Sequence, residues 1–452
     1  MGIKLTEETI LFLSVLKWFI LATIVGILVG FSTTVFLLAL GGGTDFTKQY
    51  KYFFLLLPVA FFLSELLIKY LAPEAEGHGT EKVIEAVHKR YGRISAAVVP
   101  VKLLATVITI SIGGSAGKEG PCAQIGAGIS SIFSDILRVD DHDRRKLVIC
   151  GISAGFASVF GTPIAGAIFG IEVLFVGSML YEVLLPSFIA GIIARQVSAA
   201  LGVTYFHHQL DFVPVFSESF FLKVVLSGVF FGICSFLFIE MLRYAQKLSG
   251  KLRIWSPLKG LVGGTVLAVL TLIFSTQYLG LGLDTIEKIL EGGHAPWYAF
   301  LMKMVFTSAT LNFGGSGGIV TPIFFIGASS GTLFADIMRL DAPTFAALGF
   351  ISLFAGTTNA PIAASIMSVE MFGPAIAPYA AVASIVSFLM TGHRSVYPSQ
   401  VLAVAKSRSI QTEVGKEIEL IRSTFNPRER SVAGFIARVV QKIRDKLGGP
   451  KA

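Results

Sequence analysis

Residues 113–127 read GGSAGKEGPCAQIGA and residues 314–328 read GGSGGIVTPIFFIGA. One chain thus writes the frame GGSxGxxxPxxxIGA twice, with Lys-Glu in the first copy where the second has Ile-Val. Extended without gaps to 113–140 against 314–341, the match holds 13 identities in 28 positions, among them Asp135/Asp336, Arg138/Arg339 and Asp140/Asp341. Average residue frequencies would give roughly two. A second pair follows, PIAGAIFGIE at 163–172 and PIAASIMSVE at 361–370. The chain is an internal duplication with a period near 200 residues, far beyond the ~20–50 residues of a solenoid repeat.

Composition places both copies in a membrane. Of 452 residues, 53% are hydrophobic and 15% charged, against roughly 25% charged in a soluble protein, and the mean hydropathy is +0.73. Ile10–Leu40 carries a single charge, Lys17. It exceeds both the ~20 residues a span requires and the ~7–15 of a signal-peptide apolar core, so it predicts a tilted helix. Further apolar runs occupy Tyr52–Leu71, Phe220–Met241, Gly260–Phe274 and Tyr379–Met390. Cys122, Cys150 and Cys234 lie in or beside such runs without metal-ligand spacing and read as small buried apolar residues. Of the net charge of +8, residues 406–452 hold 11 basic and 5 acidic side chains, and Arg243–Lys259 holds five basic and no acidic ones. By the positive-inside rule both segments are expected to face the cytoplasm. A nucleic-acid patch is the weaker reading of that charge.

Within each copy the segments are short. Val98–Ile112 and Pro361–Phe372 have 15 and 12 residues, below the ~20 of a full crossing. Short, Gly/Pro-interrupted pieces at matching places in two halves predict discontinuous helices that end near the bilayer midplane and aim at a substrate. Sequence alone leaves open whether the halves run parallel or inverted.

The glycine frames describe helix beginnings. Glycine permits a tight turn and a close approach, and proline fits the first helical turn. The first amides of a helix lack internal partners and stand at the positive end of its dipole, so two converging ends make an anion site without a cationic side chain. Close helix packing through small residues is the alternative use of such frames. Glu119 in the first copy is then a carboxylate able to occupy the anion's place and to leave it on protonation. The second copy needs no such acid, since one site needs one gate.

GKEGP (117–121), GGIVTP (317–322) and SVYPS (395–399), in this order and spacing, resemble the CLC family of chloride channels and chloride/proton antiporters, over residues 10–406 or so. GHGTEKV (77–83) stands where that family has its first anion-binding loop. The resemblance implies an all-α polytopic fold of two inverted repeat halves with discontinuous, tilted helices. The halves would span 1–210 and 211–405, followed by a short basic cytoplasmic tail at 406–452. It implies a homodimer in the plasma or cell inner membrane with both termini cytoplasmic, no enzymatic activity and no cofactor beyond the transported chloride. It makes Glu119 the gate and a proton carrier. The anion-binding set is His78, Gly79, Gly117, Lys118, Gly120, Gly318, Ile319, Val320 and Tyr397, with Gly318, Ile319 and Val320 giving backbone donors and Tyr397 its hydroxyl.

Two positions depart from that pattern. His78 replaces a serine, which removes a hydroxyl and supplies an imidazole whose reference pKa of ~6.5 lies near physiological pH. Val173 replaces the glutamate that serves antiporters as internal proton acceptor, which leans the reading towards passive chloride conduction. Chloride/proton antiport and a fluoride-selective member are the rival readings within the family. From another class, Glu81, Glu85 and His88 share a helical face, and Glu85-x-x-His88 resembles the carboxylate–histidine spacing of di-metal bundles, which would suit a membrane metalloenzyme. The chain has no second copy of that motif. Walker loops, nucleotide fingerprints and Ser-His-Asp orders are not evident in the sequence. In the tail, Val432, Phe435, Ile436, Val439, Val440 and Ile443 fall at helical spacing among basic residues and predict a basic amphipathic helix, lying on the cytoplasmic membrane surface or docked on the protein's own cytoplasmic face.

Overall fold

The apolar runs become helices, and the helices repeat in order and length. A computed structural model describes residues 2–210, 217–407, 409–421, 424–425, 434–435 and 438–439. Its first eight helices are α1 (Gly2–Lys48), α2 (Leu57–Leu71), α3 (Thr80–Lys89), α4 (Val98–Ser111), α5 (Glu119–Leu137), α6 (Asp141–Phe160), α7 (Pro163–Glu172) and α8 (Leu184–Ala200). The same rhythm returns in α9 (Glu218–Lys251), α10 (Ser256–Ile273), α11 (Leu283–Leu290), α12 (Ala299–Asn312), α13 (Val320–Met338), α14 (Ala342–Thr358), α15 (Pro361–Phe372) and α16 (Ala377–Met390). Strand among the described residues is confined to two short ladders. One pairs Phe175–Val176 with Val401–Leu402, the other Ile410–Gln411 with Thr424–Phe425. The architecture is all-α, as expected.

Among the described residues, six helical stretches are long and apolar enough to cross a bilayer, whereas α4, α7, α14 and α15 are shorter apolar helices of 10–17 residues. α14 is buried along nearly its whole length, while α1, α9 and α10 expose rows of apolar side chains. Short helices can end at membrane depth only because protein surrounds them. All three cysteines are buried and free. The expected amphipathic tail helix falls largely outside the described residues.

The repeated identities have local causes. Arg138 and Arg339 end α5 and α13 in the left-handed conformation, at φ 52° and 53°. Asp140 and Asp341 then cap the next helices by accepting from Asp143 N at 2.8 Å and Thr344 N at 2.9 Å, the N-terminal role for which aspartate is favoured. Gly113 and Gly314, at positive φ, turn the chain out of α4 and α12. The following glycine amides close those ends on Thr109 O and Thr310 O.

From there the two copies bond each other. Ser115 N donates to Thr310 Oγ1 and Ser316 N to Thr109 Oγ1, each at 3.0 Å. The Ser115 hydroxyl pairs with Thr307, and the Ser316 hydroxyl with Thr106. Gly117 and Gly318 exchange both backbone bonds, at 2.7 and 2.6 Å. Further out, Glu172 accepts from Ile362 N and Ala363 N at 3.0 and 2.8 Å, and Glu370 from Ile164 N and Ala165 N at the same distances. Each acid stands in the last turn of its own short helix and caps the beginning of the other. Contacts that interchange in this way are the mark of a two-fold axis, here a pseudo-two-fold within one chain. Two buried lysines obey the same symmetry. Lys102 Nζ donates to Ala75 O and Gly77 O, and Lys303 Nζ to Tyr278 O and Gly280 O.

Candidate anion site

The reciprocal pairing of Gly117 and Gly318 brings the starts of α5 and α13 together on the pseudo-axis. A third helix start joins them, because Gly79, at φ 81°, sets α3 going directly against Gly120. Backbone touches backbone here. A Cβ on Gly79 would lie 2.6 Å from Gly120 C, and one on Gly318 would lie 2.7 Å from Gly120 N. Real side chains do not fit at such distances, so these glycines are required for approach. Both uses foreseen for the frames, close packing and helix starts, therefore operate in one place.

Glu119 opens α5 and is 1% exposed. Its carboxylate lies across the pseudo-axis on the first turn of α13, accepting from Thr321 N at 3.1 Å and from the Thr321 hydroxyl. A carboxylate thus occupies the place where a helix start offers unpaired amides. Thr321 is absent from the sequence-derived set, although it is the repeat partner of Gly120. Gly318, expected as a donor to the anion, spends its amide on Gly117 O. The donors left in that frame are the amides of Ile319 and Val320, which have no carbonyl one turn back within α13. Lys118, partly exposed at the N-cap of α5, forms no ion pair among the described residues.

Tyr397 approaches from the loop after α16. It is wholly buried, and its hydroxyl has no partner of hydrogen-bond geometry among the described residues; the Thr80 side chain is a polar neighbour. The His78 ring lies 6.4 Å from the Tyr397 ring between centroids, and buried His78 Nδ1 also lacks a partner among the described residues. Lys102, behind the loop, holds the carbonyl of Gly77 beside His78. Beneath Tyr397 a polar bracket sets its position. Ser395 Oγ accepts from Tyr397 N at 2.9 Å and donates to Gln400 Oε1 at 2.6 Å. Gln400 Nε2 in turn donates to Val173 O and Thr358 O, both at 2.8 Å. Val173 is fully buried and contributes to this bracket only a carbonyl.

The residues that suggested a metal site go separate ways. Glu81 accepts from Ser399 N and Oγ, Glu85 pairs with Lys82 and Lys89, and His88 Nε2 lies 3.0 Å from Leu174 O. No cluster able to hold a metal forms among the described residues.

Residues 59–392 match the family model described as voltage gated chloride channel. The chain is 38% identical, over 85% of its length and 86% of the relative's, to a protein of Pseudomonas syringae pv. tomato named chloride/fluoride channel protein. It is 29% identical, over 68% of its length and 76% of the other's, to the voltage-gated ClC-type chloride channel ClcB of Escherichia coli. A solved CLC-type fluoride/proton antiporter superposes with a TM-score of 0.81 at 28% identity, covering 85% of this chain and 97% of that one. With its helix starts meeting on a pseudo-two-fold axis and a family match over most of its length, this chain belongs to the CLC family of membrane ion channels and transporters.

Proposed function

We propose that the protein moves a small halide, chloride or fluoride, through the site where α3, α5 and α13 begin, with Glu119 as its gate. The observation that carries this reading is the Glu119 carboxylate bonded to the start of α13. An acid held by an amide and a hydroxyl is a built-in occupant of an anion site, and an incoming halide must displace it. On protonation it loses the charge that holds it there, and the site opens. The amides of Ile319 and Val320, the Tyr397 hydroxyl and the His78 imidazole are the donors that replace the halide's water. Neutral dipoles suit transport because a full opposing charge would hold the ion too tightly to release it. Likeness to a chloride/fluoride channel and to a fluoride/proton antiporter favours fluoride as a substrate beside chloride.

The exposed apolar faces of α1, α9 and α10 support a multi-pass position in the bilayer. The basic segments 243–259 and 406–452 support cytoplasmic termini and an inner-membrane location. A homodimer is the assembly proposed with them.

Reconstitution in liposomes loaded with KF or KCl tests the reading. Halide efflux is expected from the wild type, and Glu119→Gln is expected to carry halide with no dependence on pH. A variant that keeps the wild-type pH profile removes Glu119 from the gate, and liposomes that release neither halide end the transport reading.

A further inference from the structure

Around the Tyr397 loop, three buried polar atoms have no hydrogen-bond partner among the described residues: Tyr397 Oη, His78 Nδ1 and Glu81 Oε2. Native proteins leave few such atoms, and each asks for a reason. A halide site accounts for the tyrosine and the imidazole, which can donate. It does not account for Glu81, whose free oxygen repels a halide whenever the acid is ionised.

Glu81 stands in the first turn of α3, three residues after His78. Its Oε1 accepts from Ser399 N at 3.0 Å and from the Ser399 hydroxyl at 2.5 Å, so the acid is tied to the loop that carries Tyr397 two residues earlier. Lys82, next in sequence, spends its ammonium on Glu85 at 3.3 Å, and Glu81 has no ion-pair partner among the described residues. A bracket for Ser399 needs one acceptor, which a neutral amide supplies without the cost of burying a charge. A buried carboxylate with one oxygen spare exceeds what the bracket requires. Such a group beside a transport site is a candidate for proton exchange.

We propose that Glu81 is the second proton-exchanging group of the protein, supplying what Val173 lacks, so that halide movement is coupled to a proton moving the opposite way. The inference rests on Glu119 being the gate. A proton taken up by Glu81 from solution passes by Tyr397 and His78 to Glu119, which swings clear as the neutral acid. Glu119 releases the proton on the far side, and both carboxylates return to their starting state. Both acids lie close enough to the Tyr397 hydroxyl to act on it electrostatically. Burial pushes the Glu81 carboxyl up to about 7, against the pull of the Ser399 bonds, so it gains and loses protons near neutral pH. The groups acting on it are Lys82, Glu85 and Lys89 of α3 and Tyr397 of the loop. Of the helices packed on α3, α5 brings Glu119, and α6 brings Arg145, which acts on His88.

The test is full-length protein in liposomes under a KF or KCl gradient, with external halide and external pH recorded together. Halide efflux from the wild type is expected to draw protons inward. Glu81→Gln keeps an acceptor for Ser399, so halide flux should change little while proton movement falls by roughly 10²-fold, the low end for a positioned proton-transfer group. Glu85→Gln, on the same helix but outside the corner, should keep the wild-type ratio. Wild-type proton flux should also fall as pH rises above about 7, a measurement that needs no variant. Wild-type coupling in Glu81→Gln, proton flux flat across that range, or wild-type halide flux with unchanging pH each overturns the inference while leaving halide transport standing. Absence of halide flux in the wild type fails the transport reading instead.

Discussion

Replacing Thr321 by valine isolates one of the contacts that hold the Glu119 carboxylate, the proposed gate, in its seat. The substitution keeps the shape of the side chain and the amide at 3.1 Å from Glu119 but deletes the hydroxyl that donates to the same carboxylate. Both residues are 1% exposed, so water cannot readily take the hydroxyl's place. A hydrogen bond to a charged group contributes about 1.5–3 kcal/mol. Removing it shifts the balance from seated to displaced carboxylate by roughly 10- to 150-fold. On the proposed mechanism the seated acid competes with the halide at neutral pH, so efflux should rise by up to that factor. The order is expected to be wild type, then Thr321→Val, then Glu119→Gln, with Thr321→Ser close to the wild type because it keeps the hydroxyl. A halide-selective electrode following efflux from liposomes reads all four. A folded Thr321→Val protein with flux at or below wild type would refute the argument that this hydroxyl restrains the gate.

The reciprocal acids should differ in weight although their bonds match. Glu172 is 5% exposed and Glu370 partly exposed. Glu172→Ala should therefore destabilise by about 1–3 kcal/mol for each buried amide left unpaired, and Glu370→Ala by nearer the ~1 kcal/mol of an ordinary cap. Thermal unfolding in detergent decides the order, and equal losses would contradict the burial argument. Glu81 should give the fold a pH dependence of its own. Its folded carboxyl, raised to about 7 from the ordinary 4.5, holds its proton more tightly than the unfolded chain does. The stability it contributes is complete at acid pH and is lost as pH climbs from about 4.5 through about 7. The melting difference between Glu81→Gln and the wild type should widen between about pH 5 and pH 8; a constant difference would mean the acid does not titrate there.

What sequence reading reached was what repeats or runs along the chain. The doubled glycine frame announced the duplication and the facing helix starts, and the acid present in only one copy marked Glu119. Apolar runs too short to cross became α4 and α15. What it missed is contact across the seam between halves, which leaves no local pattern. Thr321 meets Glu119 from 202 residues away, and the amide of Gly318 is taken by Gly117. Ser395 and Gln400 look like ordinary loop residues until Tyr397 is seen standing on them. Lys102 and Lys303 did carry a usable signal. They sit at the repeat offset of 201 within apolar runs, and a lysine kept twice in such a run asks for a buried partner. The polar α3 and α11 have no apolar run to announce them.

The clasp formed by Glu172 and Glu370 has a consequence for how such a protein arises. Within ten residues, Pro163–Glu172 presents both the amides that are capped and the acid that caps, at opposite ends. A single half is therefore self-complementary: two separate copies of it can grip each other by the same four bonds. The assembly rule of the whole molecule is written in half of its length, and fusing two copies adds no new contact to that clasp. What fusion adds is licence to diverge. Once the partner is covalently assured, one glycine frame can keep an acid while its twin becomes the seat on which that acid rests.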